Sequence, residues 1–161
     1  MTVDLETLCK AYLMFMDKEF ADRLDKAAER KEKEQKERSL TICKDMPEEE
    51  AEYHAKTYRV SMMEGFFTVA TELKRLINDE MVNEYREFEK SRGYLCPNCD
   101  NTCLLSKSDY VPVLNGSFVI SYDCPKCGFI HEFPKAILVR DIFTEYANRE
   151  KERDEGPVAD L

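Results

Sequence analysis

The chain has 161 residues and a mass of 18.9 kDa, with 43% hydrophobic and 35% charged side chains and a net charge of -9. That size admits one ordinary domain, or a small domain with an extension. Five Gly and six Pro exclude a collagen-like chain, a Gly/Ser linker array and a loop-rich β-sandwich, and the acidic balance argues against wholesale binding to nucleic-acid phosphates.

The longest apolar runs, such as Ala11 to Met16, fall far short of the roughly 20 residues a membrane span needs. The first residues lack a basic stretch followed by an apolar core and a small-residue cleavage site. The expected location is therefore intracellular and cytoplasmic, or nuclear in a eukaryotic or viral setting. In a reducing compartment seven cysteines, an odd number, read as metal ligands or buried thiols rather than as a disulfide framework.

Charge and composition divide the chain into three predicted segments. Residues 1–91 are net -6 and contain one Gly and one Pro, residues 92–135 are net 0, and residues 136–161 are net -3. The middle segment holds three of the five Gly and five of the seven Cys, which marks a change from long helices to a compact loop-and-strand unit.

In the first segment Thr2 suits an N-cap, with Asp4 and Glu6 favoured by the helix dipole in the first turn. Leu5, Leu8, Tyr12, Phe15 and Met16 recur on one helical face, and Phe20 and Leu24 continue it. From Glu29 to Arg38 the apolar stripe gives way to ERKEKEQKER, a solvated helix end with i,i+4 Glu–Lys and Glu–Arg pairs. Coiled-coil pairing is the other reading of this run. After a connection at 39–46, Asp45 and Pro47 suit a second helix start, with Glu48, Glu49 and Glu50 at its positive end. Apolar residues then recur at helical spacing from Ala51 to Phe88, a length of roughly 60 Å, with a bend or break expected at Gly65. A short connection between two helices predicts an antiparallel hairpin. His54 reads as a surface histidine. Met62, Met63, Phe66, Phe67, Val69 and Ala70 make that stretch apolar nearly all round, which predicts a homodimer formed through the helical region.

The strong chemical signal lies in the middle segment. Cys96-Pro97-Asn98-Cys99 and Cys124-Pro125-Lys126-Cys127 are two C-x-x-C pairs separated by 24 residues. A two-residue gap lets a tight knuckle aim both sulfurs at one ion, and four thiolates in a tetrahedron suit Zn²⁺. Asp100 and Gly128 fall where each knuckle must turn sharply. Between the pairs, Tyr110 to Leu114, the Asn115-Gly116 turn and Ser117 to Tyr122 read as a β-hairpin, and Phe129 to Phe133 as a third strand. Cys103 and Cys9 read as a bystander and a core residue, and Cys43 as an exposed thiol. His131 stands beside an already complete ligand set.

From Tyr94 to about Phe133 these residues resemble the zinc-ribbon family, such as the C-terminal ribbons of transcription elongation factors and RNA polymerase subunits. The resemblance assigns one Zn²⁺ per chain to Cys96, Cys99, Cys124 and Cys127. The elongation-factor ribbon carries an Asp-Glu pair at its hairpin tip, whereas this tip reads Leu114-Asn115-Gly116-Ser117, so transcript cleavage is not implied. A helical hairpin followed by a four-cysteine ribbon is also similar in architecture to bacterial zinc-ribbon adaptors.

After Pro134, Ile137, Leu138, Ile142 or Phe143, and Tyr146 fit one helix face, and Gly156-Pro157 stops it. Residues 136–139 also suit a strand. The expected fold is α+β: an antiparallel helical hairpin, a small antiparallel ribbon and a C-terminal helix. A closed four-thiolate shell leaves no coordination position for a reacting water, and no nucleotide-binding or hydrolase motif is present. The chain is thus expected to be no enzyme but an interaction or adaptor protein, docking a protein partner through acidic helices. The alternative is a transcription or replication regulator whose ribbon binds nucleic acid through Arg92, Lys107 and Lys126. Those few cations predict weak nucleic-acid binding or none.

Overall fold

The computed structural model describes residues 4–93, 95–102, 104–111 and 116–156. Thr2, Tyr94, Cys103, Leu114, Asn115 and Pro157 lie outside the described residues. Among the described residues the fold is α+β: four helices and one three-stranded antiparallel sheet, with α1 at Leu5–Met16, α2 at Lys18–Ile42, α3 at Glu48–Arg92, β1 at Leu105–Val111, β2 at Gly116–Asp123, β3 at Ile130–Glu132 and α4 at Pro134–Glu155. No described helix is long and apolar enough to cross a membrane.

The single N-terminal helix expected from the apolar stripe is two helices. The side chain of Asp17, with extended backbone at φ -66 and ψ 127, accepts a hydrogen bond from Phe20 N at 2.9 Å and caps α2. A short acceptor at an N-cap satisfies an amide that the new helix would otherwise leave orphaned. α1 begins the same way: Asp4 accepts from Thr7 N at 2.9 Å and from the Thr7 hydroxyl at 2.7 Å. α3 runs through Gly65 without a break. Glycine there costs about 1 kcal/mol of helix propensity and does not force a kink.

The chain forms two compact units, residues 14–73 and residues 1–13 with 74–161. The first is an antiparallel helical hairpin. Lys36, late in α2, pairs with Glu48 at 2.9 Å, early in α3, whereas Arg59 reaches back to Asp25 at 2.5 Å and to Glu32 at 3.3 Å. Ala28, Ala51 and Ala55 are buried in this unit. Met62, Met63, Phe66 and Ala70 are half-buried, while Phe67 and Val69 are exposed.

In the second unit Leu5, Leu8, Cys9 and Leu13 of α1, Ile77, Met81 and Phe88 of α3, and Ala136 and Val139 of α4 are buried. Residues 136–139 are helix, not strand. Pro134 is pre-set for a first helical turn and lacks the amide a strand would use. The Tyr12 and Phe143 rings stand 6.2 Å apart, and Arg140 of α4 bonds Asp109 of β1 at 3.3 Å. Gly156, at φ 66, ends α4.

β1 and β2 pair from Leu105↔Asp123 to Val111↔Gly116, with a bulge between Lys107 and Ser108, and β2 pairs β3 through Tyr122↔His131. Gly116 therefore opens β2 opposite Val111 and is not the second residue of a two-residue turn.

Candidate metal centre

Two knuckles of the same construction carry the four cysteines. In the first, Cys96 N donates to Asn101 O at 2.8 Å and Asp100 N to Cys96 O at 2.9 Å. In the second, Cys124 N donates to Phe129 O at 2.8 Å and Gly128 N to Cys124 O at 2.9 Å. The residue after each C-x-x-C adopts the left-handed conformation, Asp100 at φ 54 and Gly128 at φ 72. Glycine meets that demand without a Cβ penalty, and aspartate is among the few other residues that visit it.

This folding brings Cys96, Cys99, Cys124 and Cys127 together, with all four Sγ atoms within 4.8 Å of one another. Cys96 Sγ lies 3.6 Å from Cys127 Sγ, and Cys99 Sγ lies 3.6 Å from Cys124 Sγ. Four sulfurs bound tetrahedrally at ~2.3 Å stand about 3.8 Å apart, so the cluster has the dimensions of a four-thiolate metal site. Each knuckle supplies one buried sulfur, Cys96 or Cys124, and one more accessible one, Cys99 or Cys127.

The surroundings favour negative charge on some of these sulfurs. The Asn98 side chain and the Phe129 amide hold the Cys127 thiol down to about 6. Asn101 Nδ2 points at Cys124 Sγ at 3.8 Å. Thus two asparagines of the first knuckle serve sulfurs of the second. The Asn101 amide also favours a Cys99 thiolate, yet burial and the three neighbouring sulfurs push Cys99 up to about 12. Without a cation the four thiols cannot all ionise, because like charges this close disfavour one another.

Aromatic packing seats the sheet on α3. Phe88 stacks on Tyr122 at 6.0 Å and on Phe133 at 5.1 Å, and Phe118 meets Tyr85 edge-on at 4.9 Å. The hydroxyl of Tyr122 donates to Glu89 Oε1, as does that of Tyr85 at 2.8 Å. Neither asparagine was singled out from the sequence, although both stand within or beside C-P-N-C-D-N. The Tyr122–Glu89 pair had no sequence signal, since 33 residues separate its members.

The other candidates are scattered. Arg92 lies over the Tyr122 ring at 3.8 Å, Lys107 pairs with Asp123, and Lys126 is exposed on the second knuckle. Phe118 and Tyr122 pack inward, and Tyr110 is exposed. His131 lies against Phe88 at 4.9 Å and is not among the clustered ligands. Cys9 is fully buried and its thiol is pushed up to about 12 by desolvation, as suits an inert core residue, while Cys43 is exposed. His54 is exposed. No protein-family model, curated protein or solved structure matches the chain.

Proposed function

We propose that the chain is a non-catalytic zinc-binding adaptor, in which one Zn²⁺ held by Cys96, Cys99, Cys124 and Cys127 staples a zinc-ribbon unit and the acidic helices dock a protein partner. The observation that carries this reading is the four-sulfur cluster itself. Soft thiolates select zinc or iron–sulfur chemistry over hard cations, and a closed tetrahedral shell suits a structural ion. Metal binding here is folding energy, because the knuckles and three short strands offer little apolar core of their own.

The docking half of the proposal rests on charge. Glu49 and Glu50 are exposed in the first turn of α3, beside a Glu48 that Lys36 holds, and they would steer a basic protein surface. The nucleic-acid reading has less behind it. Of its three cations, Arg92 is committed to Tyr122 and Lys107 to Asp123. Affinity capture from native extract tests the docking half, comparing the wild type with a variant in which Glu49 and Glu50 are both Lys. A partner lost in the variant is expected. Capture of nucleic acid by both proteins would favour the alternative.

A further inference from the structure

α3 has a second face within the helical hairpin. Ala51 and Ala55 are buried on the α2 side, and Arg59 reaches across to the α2 acids. Helical periodicity puts Tyr53, Val60 and Phe67 on the opposite side, one heptad apart, at 68%, 56% and 69% exposure. Thr57, Glu64 and Thr71 interleave with them at the spacing of a coiled-coil seam, and all are exposed. Only Glu64 of these six is charged, in a chain that is 35% charged. Depletion of charge around exposed aromatic residues is the compositional mark of an interface core.

We propose that this face pairs with the same face of a second copy, antiparallel, about a two-fold axis beside position 62. The proposal goes beyond the adaptor reading and does not depend on the metal. In that register each large residue meets a small or polar one: Tyr53 against the partner's Thr71, Phe67 against the partner's Thr57, and Val60 against the partner's Glu64. One seam position further out, Glu50 meets the partner's Lys74, so both ends of the seam carry opposite charges. A parallel pair would instead set Glu50 against Glu50 at one end and Lys74 against Lys74 at the other, and like charges across a seam repel. Phe and Tyr bury about 150–250 Å² each. Four such rings with two valines bring the pair to on the order of 1,000 Å², the size of a weak, concentration-dependent interface.

The test is light-scattering mass of the zinc-loaded full chain across a range of about 1 to 200 micromolar. A mass rising from 18.9 kDa toward twice that value is expected. Phe67→Glu should raise the dissociation constant at least ~10-fold with unchanged helix content, since the side chain is exposed. Glu50→Lys should weaken the pair, and Glu50→Lys with Lys74→Glu should restore it. A constant mass of 18.9 kDa over the whole range would overturn the proposal. So would a dimer indifferent to Phe67→Glu, or a double charge swap that fails to restore what the single one lost.

Discussion

Tyr122, two residues before Cys124, donates its hydroxyl to Glu89 on α3 while its ring stacks on Phe88. One side chain thus ties the strand that enters the second knuckle to the helix beneath it. Tyr122→Phe keeps the ring and removes the hydroxyl, so the expected loss is about 1–2 kcal/mol in chemical denaturation, with zinc content unchanged. The hydrogen bond from Tyr122, then that from Tyr85, holds the Glu89 carboxyl below its ordinary value. Its contribution is therefore complete above the usual glutamate range and lost only as pH falls through the lower folded value. The difference between wild type and Tyr122→Phe should be the same at neutral and mildly acid pH.

The left-handed residues of the two knuckles make a paired prediction. Gly128→Ala places a Cβ where no neighbouring atom stands within 4 Å, so its cost is conformational alone, about 1–2 kcal/mol. Asp100→Gly should be neutral or slightly stabilising, because Asp100 already bears that cost at φ 54. Thermal melts of the zinc-loaded protein check both. A larger loss from Asp100→Gly than from Gly128→Ala would contradict the account.

Asn98 acts on Cys127 from the opposite knuckle. Asn98→Ala should leave the fold intact and weaken zinc binding by about 10-fold, the usual effect of removing a partner that orients a metal ligand. Competition with a chromogenic chelator measures it. Pro97→Ala, in the same exposed turn, is the control expected to change little.

The hairpin seam gives a prediction independent of metal. Ala51 is fully buried on the α2 side of α3. Ala51→Leu should cost about 1–3 kcal/mol by overpacking. Circular dichroism during denaturation reads the loss in the helical signal.

The four-cysteine cluster was legible because C-x-x-C spacing is local and thiolate chemistry is specific. The antiparallel hairpin followed from one short connection between two periodic stretches. What escaped was either a single-residue decision or a long-range one. Asp17 is compatible with a helix surface, so nothing in the apolar pattern marked it as a cap. Gly116 looked like the second half of a tight turn, but its strand pairing with Val111 depends on the whole β1–β2 register. Helical spacing also marked Met62 and Phe66 as strongly as Phe67. Packing within the hairpin half-buries the first two and leaves Phe67 at 69% exposure.

The central claim is tested most directly by metal content. Protein purified under reducing conditions without chelator should contain one zinc per chain by elemental analysis. Cys99→Ser and Cys127→Ser should each lose it, together with the ordered NMR resonances of β1, β2 and β3, while most helix signal remains. Acidification should release the ion, because protons compete for the thiolates. Protein that carries no zinc, or a Cys99→Ser/Cys127→Ser double variant that keeps a full equivalent, would contradict the account.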